Sequence, residues 1–141
     1  MDVFFSKDGP LSKVISGYQI RPSQVAMSNL VDETIFNQNS LVVEAGTGIG
    51  KTFAYLAPAL MRGETVIIST ATKNLQDQLY NKDIPKIREA LNIPIKVDLL
   101  KGRSNYVCQL KMEDSLISGQ FLNKEDGVYL EKIKIFAYIA S

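Results

Sequence analysis

Apolar positions along the chain follow two different periods. From Pro22 onward, Met27, Leu30, Val31 and Ile35 recur at the spacing of an amphipathic helix that carries proline near its first turn. The polar cluster at 37–40 predicts where that helix ends. Leu41-Val42-Val43 and the stretch 65–69 are instead short, largely β-branched apolar runs, as expected of parallel strands buried on both faces. Between them, Lys51 to Met61 reads as a helix, with Gly63 placed to terminate it. This is a strand, helix, strand unit, for which a right-handed crossover is expected. A further helix from Lys73 to Leu91 is predicted to bend at Pro85, and "IPIKVDLL" (93–100) then alternates as a third strand. Three such elements imply an α/β fold, an open parallel sheet flanked by helices.

The two ends are less regular. The N-terminal arm shows only turn signals, at Gly9-Pro10 and at Gly17. Near the other end, Tyr129, Ile133, Phe136, Ala137 and Ala140 form a helical stripe that is still running at Ser141, with no capping glycine or proline. That unfinished stripe predicts a fragment or a truncated reading frame.

Composition narrows the class. With 45% hydrophobic and 22% charged residues over 141 positions, the chain is expected to form a globule with a core. The opening MDVFFSKDG carries Asp2 and Lys7 and has no apolar stretch behind a basic head, so no signal peptide is expected. No apolar run is long enough to span a bilayer. Cys108 is the single cysteine, which excludes an internal disulfide and cannot alone complete a zinc or iron-sulfur site. A reducing, cytoplasmic setting is expected. The net charge of +1 demands no nucleic-acid partner. Between Lys73 and Arg103, seven basic against four acidic residues leave a local excess of three positive charges, a mild bias that suits a solvated face.

Candidate chemistry concentrates in "LVVEAGTGIGKT" (41–52). A phosphate cradle needs backbone N–H groups turned inward around an anion, with dihedrals and a close approach that side chains obstruct. Gly46, Gly48 and Gly50 meet that need, and a helix opening at Lys51 adds free N–H groups and its positive dipole end. Lys51 would reach the β/γ oxygens of ATP, and the Thr52 hydroxyl would ligate Mg²⁺. Ala45 stands where the P-loop pattern has its first glycine, so the nucleotide contacts run over Ala45, Gly46, Thr47, Gly48, Ile49, Gly50, Lys51 and Thr52.

With that loop placed, four stretches resemble the N-terminal part of a superfamily 2 DNA helicase of the DinG/YoaA type, related to XPD. They are "YQIRPSQVAM" (18–27), "VVEAGTGIGKTFAYLAPAL" (42–60), "VIISTATKNLQDQL" (66–79) and "LKGRSNYVC" (100–108). Motif I of this type commonly begins with alanine, which accounts for Ala45. The resemblance implies that Arg21 and Gln24 form the adenine-reading element, a task suited to an amide that both donates and accepts. It implies that Thr70, Thr72 and Lys73 touch the single-strand backbone as motif Ia, and that Lys101 and Arg103 face DNA phosphates. Cys108 resembles the first of four ligands to a [4Fe-4S] cluster, complete only in an intact protein. Residues 1–108 would then begin a RecA-like helicase domain, and 109–141 would begin the inserted iron-sulfur or accessory region.

The resemblance further implies an ATP hydrolase that translocates 5′ to 3′ on single-stranded DNA, in repair, associated with the nucleoid and with replication or repair proteins. Within these residues there is no D-E-x-H, no further cysteine and no second domain, so the chain by itself is expected to be inactive. Two other readings stay open: a non-catalytic nucleotide- or DNA-binding remnant, and a P-loop NTPase of another class. The latter needs an acceptor site or lid after the third strand, and nothing after residue 108 resembles one.

Overall fold

The computed structural model describes residues 1–119, 121 and 123–139, which fall into two compact units. The first, Met1–Asp98, contains α1 (Pro10–Val14), α2 (Pro22–Phe36), α3 (Lys51–Met61), α4 (Lys73–Gln78), a π-helical turn (Leu79–Asp83) and α5 (Ile84–Leu91). The second begins at Leu99 and contains a 3-10 turn (Arg103–Asn105), α6 (Gln109–Ser118) and α7 (Lys124–Ile139).

Local signals explain the helix ends. Pro22 lies in the first turn of α2, where a missing N–H costs nothing. Gly50 opens α3 in the left-handed region, and Gly63, also left-handed, donates its N–H to the Leu60 carbonyl beyond the helix end. Thr72 caps α4, its Oγ1 accepting from the Leu75 N–H at 3.3 Å. Asn92 ends α5 with φ of 51°.

Helix α3 forms the centre of the first unit, touching two apolar clusters. Ala57 joins Phe4, Phe5 and Leu11 in one cluster, while Leu56 joins Leu79, Ile84 and Ile87 in the other. Phe53 and Leu91 pack against both. The N-terminal arm, which offered only turn signals, is therefore core. Its Phe4 and Phe5 rings meet edge to face at 5.1 Å, and Tyr18 Oη ties the arm down by donating to the Phe5 carbonyl at 2.8 Å.

Three expectations need correction. The helix predicted for 73–91 does not simply bend at Pro85: it passes through a π turn in which the Ile84 N–H reaches back five residues to Leu79 O. Pro85 has no N–H for an α-helical bond to Asn81, so the ladder slips just before it. On α2, the most buried positions are Gln24 and Ser28 rather than the apolar stripe, and Leu30 is half exposed. Gln24 takes the inner face because its amide has a partner on the glycine loop.

The third correction concerns the sheet. Among the described residues no strand is assigned, and the runs 41–43, 65–69 and 93–100 make no ladder with one another. Side-chain burial nevertheless alternates along 93–100, and Val97 and Ile68 pack on the Leu56 cluster. The opposite faces stay open: Val42 is 97% and Ile67 93% exposed. A strand exists only when a neighbour takes its backbone groups, and these runs lack one within the described residues. The predicted C-terminal helical stripe does lie on a helix, α7, as far as Ile139, while Ala140 lies outside the described residues.

Candidate functional site

The glycine loop between the run 41–43 and α3 is held by side chains from two directions. Lys51, the first residue of α3, folds back so that its Nζ donates to the carbonyls of Ala45 at 2.9 Å and Gly46 at 2.7 Å. From α2 and the residue before it, Gln24 Nε2 donates to Gly50 O at 2.9 Å and Arg21 Nη1 donates to Gly48 O at 2.7 Å. The Gln24 side chain is enclosed, at 3% exposure, whereas Arg21 remains open to solvent. Lys51, Gln24 and Arg21 thus already engage the loop's carbonyls.

That pattern leaves the loop's N–H groups for a ligand. Among the described residues, the N–H groups from Gly46 to Gly50 take no backbone acceptor. Gly48 and Gly50 have φ of 82° and 81°, the left-handed conformation that a side chain disfavours. A Cβ on Gly50 would also collide with the Gln24 amide, while one on Gly48 would meet open space. The donor set fits a polyphosphate: N–H groups, a helix N-terminus and a lysine ammonium converge, with the Thr52 hydroxyl one residue further along α3. Thr47 and Ile49 contribute backbone to the same loop.

Behind the loop, Tyr55 lies one turn beyond Thr52 on α3 and packs against the Leu56 cluster. Burial raises the Tyr55 pKa above the ordinary tyrosine range; the Thr52 side chain acts in the opposite direction, and the Asp83 carboxylate adds to the rise. Tyr18 is likewise raised by burial, with Arg21 acting against it. Asp83, on the π turn, is 6% exposed and accepts a hydrogen bond from Gln78 Nε2 at 2.9 Å. Asp83 did not stand out in the sequence, because its influence on Tyr55 depends on α3 packing against the π turn.

The remaining candidates are distributed over both units. Thr70, Thr72 and Lys73 lie at the N-terminus of α4, where Thr70 Oγ1 donates to Thr72 O at 3.3 Å and the Thr72 hydroxyl is already employed as a cap. Lys101 and Arg103 belong to the second unit, in a turn closed by the Lys101 N–H donating to Tyr106 Oη at 2.8 Å. Within that turn the Asn105 side chain also donates to Gly102 O, at 3.0 Å. Cys108 is exposed at the N-cap of α6. Among the described residues no group of three or more His, Cys, Asp or Glu could hold a metal ion, and no helix is long and apolar enough to cross a membrane.

Comparison with known proteins agrees with the loop. The DEAD/DEAH box helicase family profile matches residues 23–118. The chain is 49% identical over 130 residues to the ATP-dependent DNA helicase YoaA of Haemophilus influenzae, covering 92% of this chain and 20% of that protein. It is 50% identical over 115 residues to the Escherichia coli YoaA, covering 82% and 18% respectively. It is 37% identical over 123 residues to the 3′-5′ exonuclease DinG of Bacillus subtilis, covering 84% and 13%. The chain therefore spans a fifth or less of the length of these relatives. No solved structure matches it. A glycine loop gripped by its own lysine and by Gln24 and Arg21, inside a span that the family profile covers, places this chain in the DEAD/DEAH box helicase family, with the P-loop NTPase fold which that membership implies.

Proposed function

We propose that the chain is the N-terminal part of an ATP-dependent DNA helicase and that its glycine loop binds ATP with Mg²⁺. The observation that carries this reading is the Gln24 and Arg21 grip on the carbonyls of Gly50 and Gly48, which leaves the loop's N–H groups available to an anion. Lys51 holds two neutral carbonyls, and a phosphate oxygen offers it a stronger, charge-assisted bond in their place. Thr52 would hold the metal, which when bound neutralises charge developing on the transferred phosphoryl group. Gln24 and Arg21 stand beside the loop, where an adenine ring would be read.

In the longer protein, hydrolysis would drive movement on single-stranded DNA, 5′ to 3′, with a role in DNA repair in the cytoplasm. Thr70, Thr72 and Lys73 supply hydroxyls, a helix N-terminus and a cation suited to a phosphate backbone, and in the second unit Lys101 and Arg103 are two cations of the same suitability. Cys108, exposed at a helix start, would be one ligand of a [4Fe-4S] cluster whose other ligands lie outside these residues. The runs 41–43, 65–69 and 93–100 would become strands of a parallel sheet when neighbouring strands take their backbone N–H and C=O groups.

Titration of the chain with a fluorescent ATP analogue is expected to show saturable binding that Lys51→Ala removes. In the longer protein, single-stranded DNA is expected to stimulate ATP hydrolysis. Absence of nucleotide binding by the unsubstituted chain would refute the site; absence of DNA stimulation would refute the helicase reading alone.

A further inference from the structure

The Phe5 carbonyl belongs to a tightly closed turn at the N-terminus. A Cβ on Gly9 would collide with the carbonyls of Val3 and Phe4, and the Leu11 N–H returns to Phe4 O at 3.4 Å. Phe5 is fully enclosed, and among the described residues no backbone N–H takes its carbonyl. The Tyr18 hydroxyl does so instead, at 2.8 Å. Burial raises the Tyr18 pKa, so the phenol keeps the proton that it donates.

Tyr18 is also the last anchored residue before the outer grip on the glycine loop. It packs on the cluster of Phe4, Phe5 and Leu11, whereas Gln19 and Ile20 are exposed. Arg21 follows. Its carbonyl accepts from the Gln24 and Val25 N–H groups at 2.9 and 3.1 Å, and its guanidinium reaches Gly48 O at 2.7 Å. An exposed arginine gives up rotamer freedom to hold one geometry, so the grip depends on where the backbone places its Cα. The Phe4, Phe5 and Leu11 cluster also receives Val25 from α2 and Phe53 from α3, the helices that bring Gln24 and Lys51 to the loop.

We propose that Tyr18, through its bond to Phe5, is a positioning residue for Arg21: the closed N-terminal turn sets where Arg21 meets the Gly48 carbonyl, and thereby how well the glycine loop is shaped for a polyphosphate. This rests on the reading of the loop as an ATP site.

The test measures affinity of the 141-residue chain for a fluorescent ATP analogue, well below the melting temperature, for the unsubstituted chain, Tyr18→Phe, Arg21→Ala and the double variant. The control is Asn29→Ala, which removes a different bond between α2 and the arm, from Asn29 Nδ2 to Asp2 Oδ1 at 3.1 Å. Tyr18→Phe keeps the ring and loses only the hydroxyl. It is expected to weaken binding about two- to fivefold, within the value of one hydrogen bond. Once Arg21 is alanine, Tyr18→Phe is expected to add no further loss, because the two act through one contact. Asn29→Ala is expected to leave affinity intact. Unchanged affinity in Tyr18→Phe overturns the proposal and leaves the ATP site standing. The same loss from Tyr18→Phe with and without Arg21 overturns it too, as the mark of a merely structural role. An equal loss in Asn29→Ala does so as well, because any loosening of the arm would then suffice. No nucleotide binding by the unsubstituted chain removes the site and this inference together.

Discussion

Gln24 and Gly50, 26 positions apart, are joined by one bond of 2.9 Å from an enclosed side-chain amide to the carbonyl that opens α3. This bond fixes the last residue of the glycine loop from outside the loop. Gln24→Ala leaves the Gly50 carbonyl without its amide donor and a gap where the amide was. The expected cost is about 1–3 kcal/mol in urea unfolding, together with weaker binding of an ATP analogue. Gln24→Glu, which replaces the donating amide with an acceptor, should bind no better than the alanine variant. A Gln24→Ala chain with unaltered nucleotide affinity would show that the loop does not need this grip.

Gly50 and Gly48 share a left-handed conformation but differ in surroundings. Alanine at Gly48 meets open space and should cost only the backbone penalty, about 1–2 kcal/mol. Alanine at Gly50 carries that penalty and also drives its Cβ into the Gln24 amide. Urea midpoints should therefore fall further for Gly50→Ala than for Gly48→Ala. Equal midpoints would mean that the Gln24 contact yields without cost.

Arg62 at the end of α3 clamps α2: Nε and Nη2 donate to Asp32 Oδ1 at 3.0 and 2.7 Å, Nη2 also reaches Asp32 O at 3.0 Å, and the guanidinium lies 5.5 Å from the centre of the Phe36 ring. A solvent-exposed ion pair alone contributes little, but the added carbonyl bond and ring contact raise the expected loss for Arg62→Ala to about 1–2 kcal/mol. Arg62→Lys should recover less than half of it, since an ammonium lacks the planar fork. Chemical denaturation of the three chains decides this, and full recovery by lysine would reduce the clamp to simple charge attraction.

Phe5 is fully enclosed although it lies five residues from the N-terminus. Phe5→Ala is expected to cost about 3–5 kcal/mol, as for a buried aromatic in a core. Val3→Ala, at an exposed neighbouring position, should stay within about 0.5 kcal/mol. Thermal melts of the two variants distinguish a core element from a loose arm: similar melting temperatures would show that the arm is dispensable.

The limits of each helix in the first unit's centre were legible because the signals are local. Pro22 starts α2, Gly63 follows α3, and "AGTGIGKT" announces a phosphate loop through the backbone freedom of three glycines. Other features left no comparable trace. MDVFF has no readable period, yet Phe4 and Phe5 are core, because what buries them is α3 and its neighbours, far along the chain. Asp83 reads as one more solvated charge in a basic stretch, and only a slipped helical ladder turns it inward. Gln24 is singled out only through the family resemblance, and its burial against the Gly50 carbonyl has no trace in the helical period of α2.

By itself the sequence determined the elements whose cause is written within a turn or two of chain: the helical periods, their caps, and the left-handed glycines that shape the cradle. The tertiary structure decided which polar groups could be enclosed and which apolar runs found a partner. The Gln24 amide and the Asp83 carboxylate are enclosed beside groups that satisfy them, Gly50 and Gln78, whereas the buried Ser28 hydroxyl has no hydrogen-bond partner among the described residues. A β-branched run becomes a strand only beside another strand, and 41–43, 65–69 and 93–100 carry the strand pattern without that neighbour among the described residues.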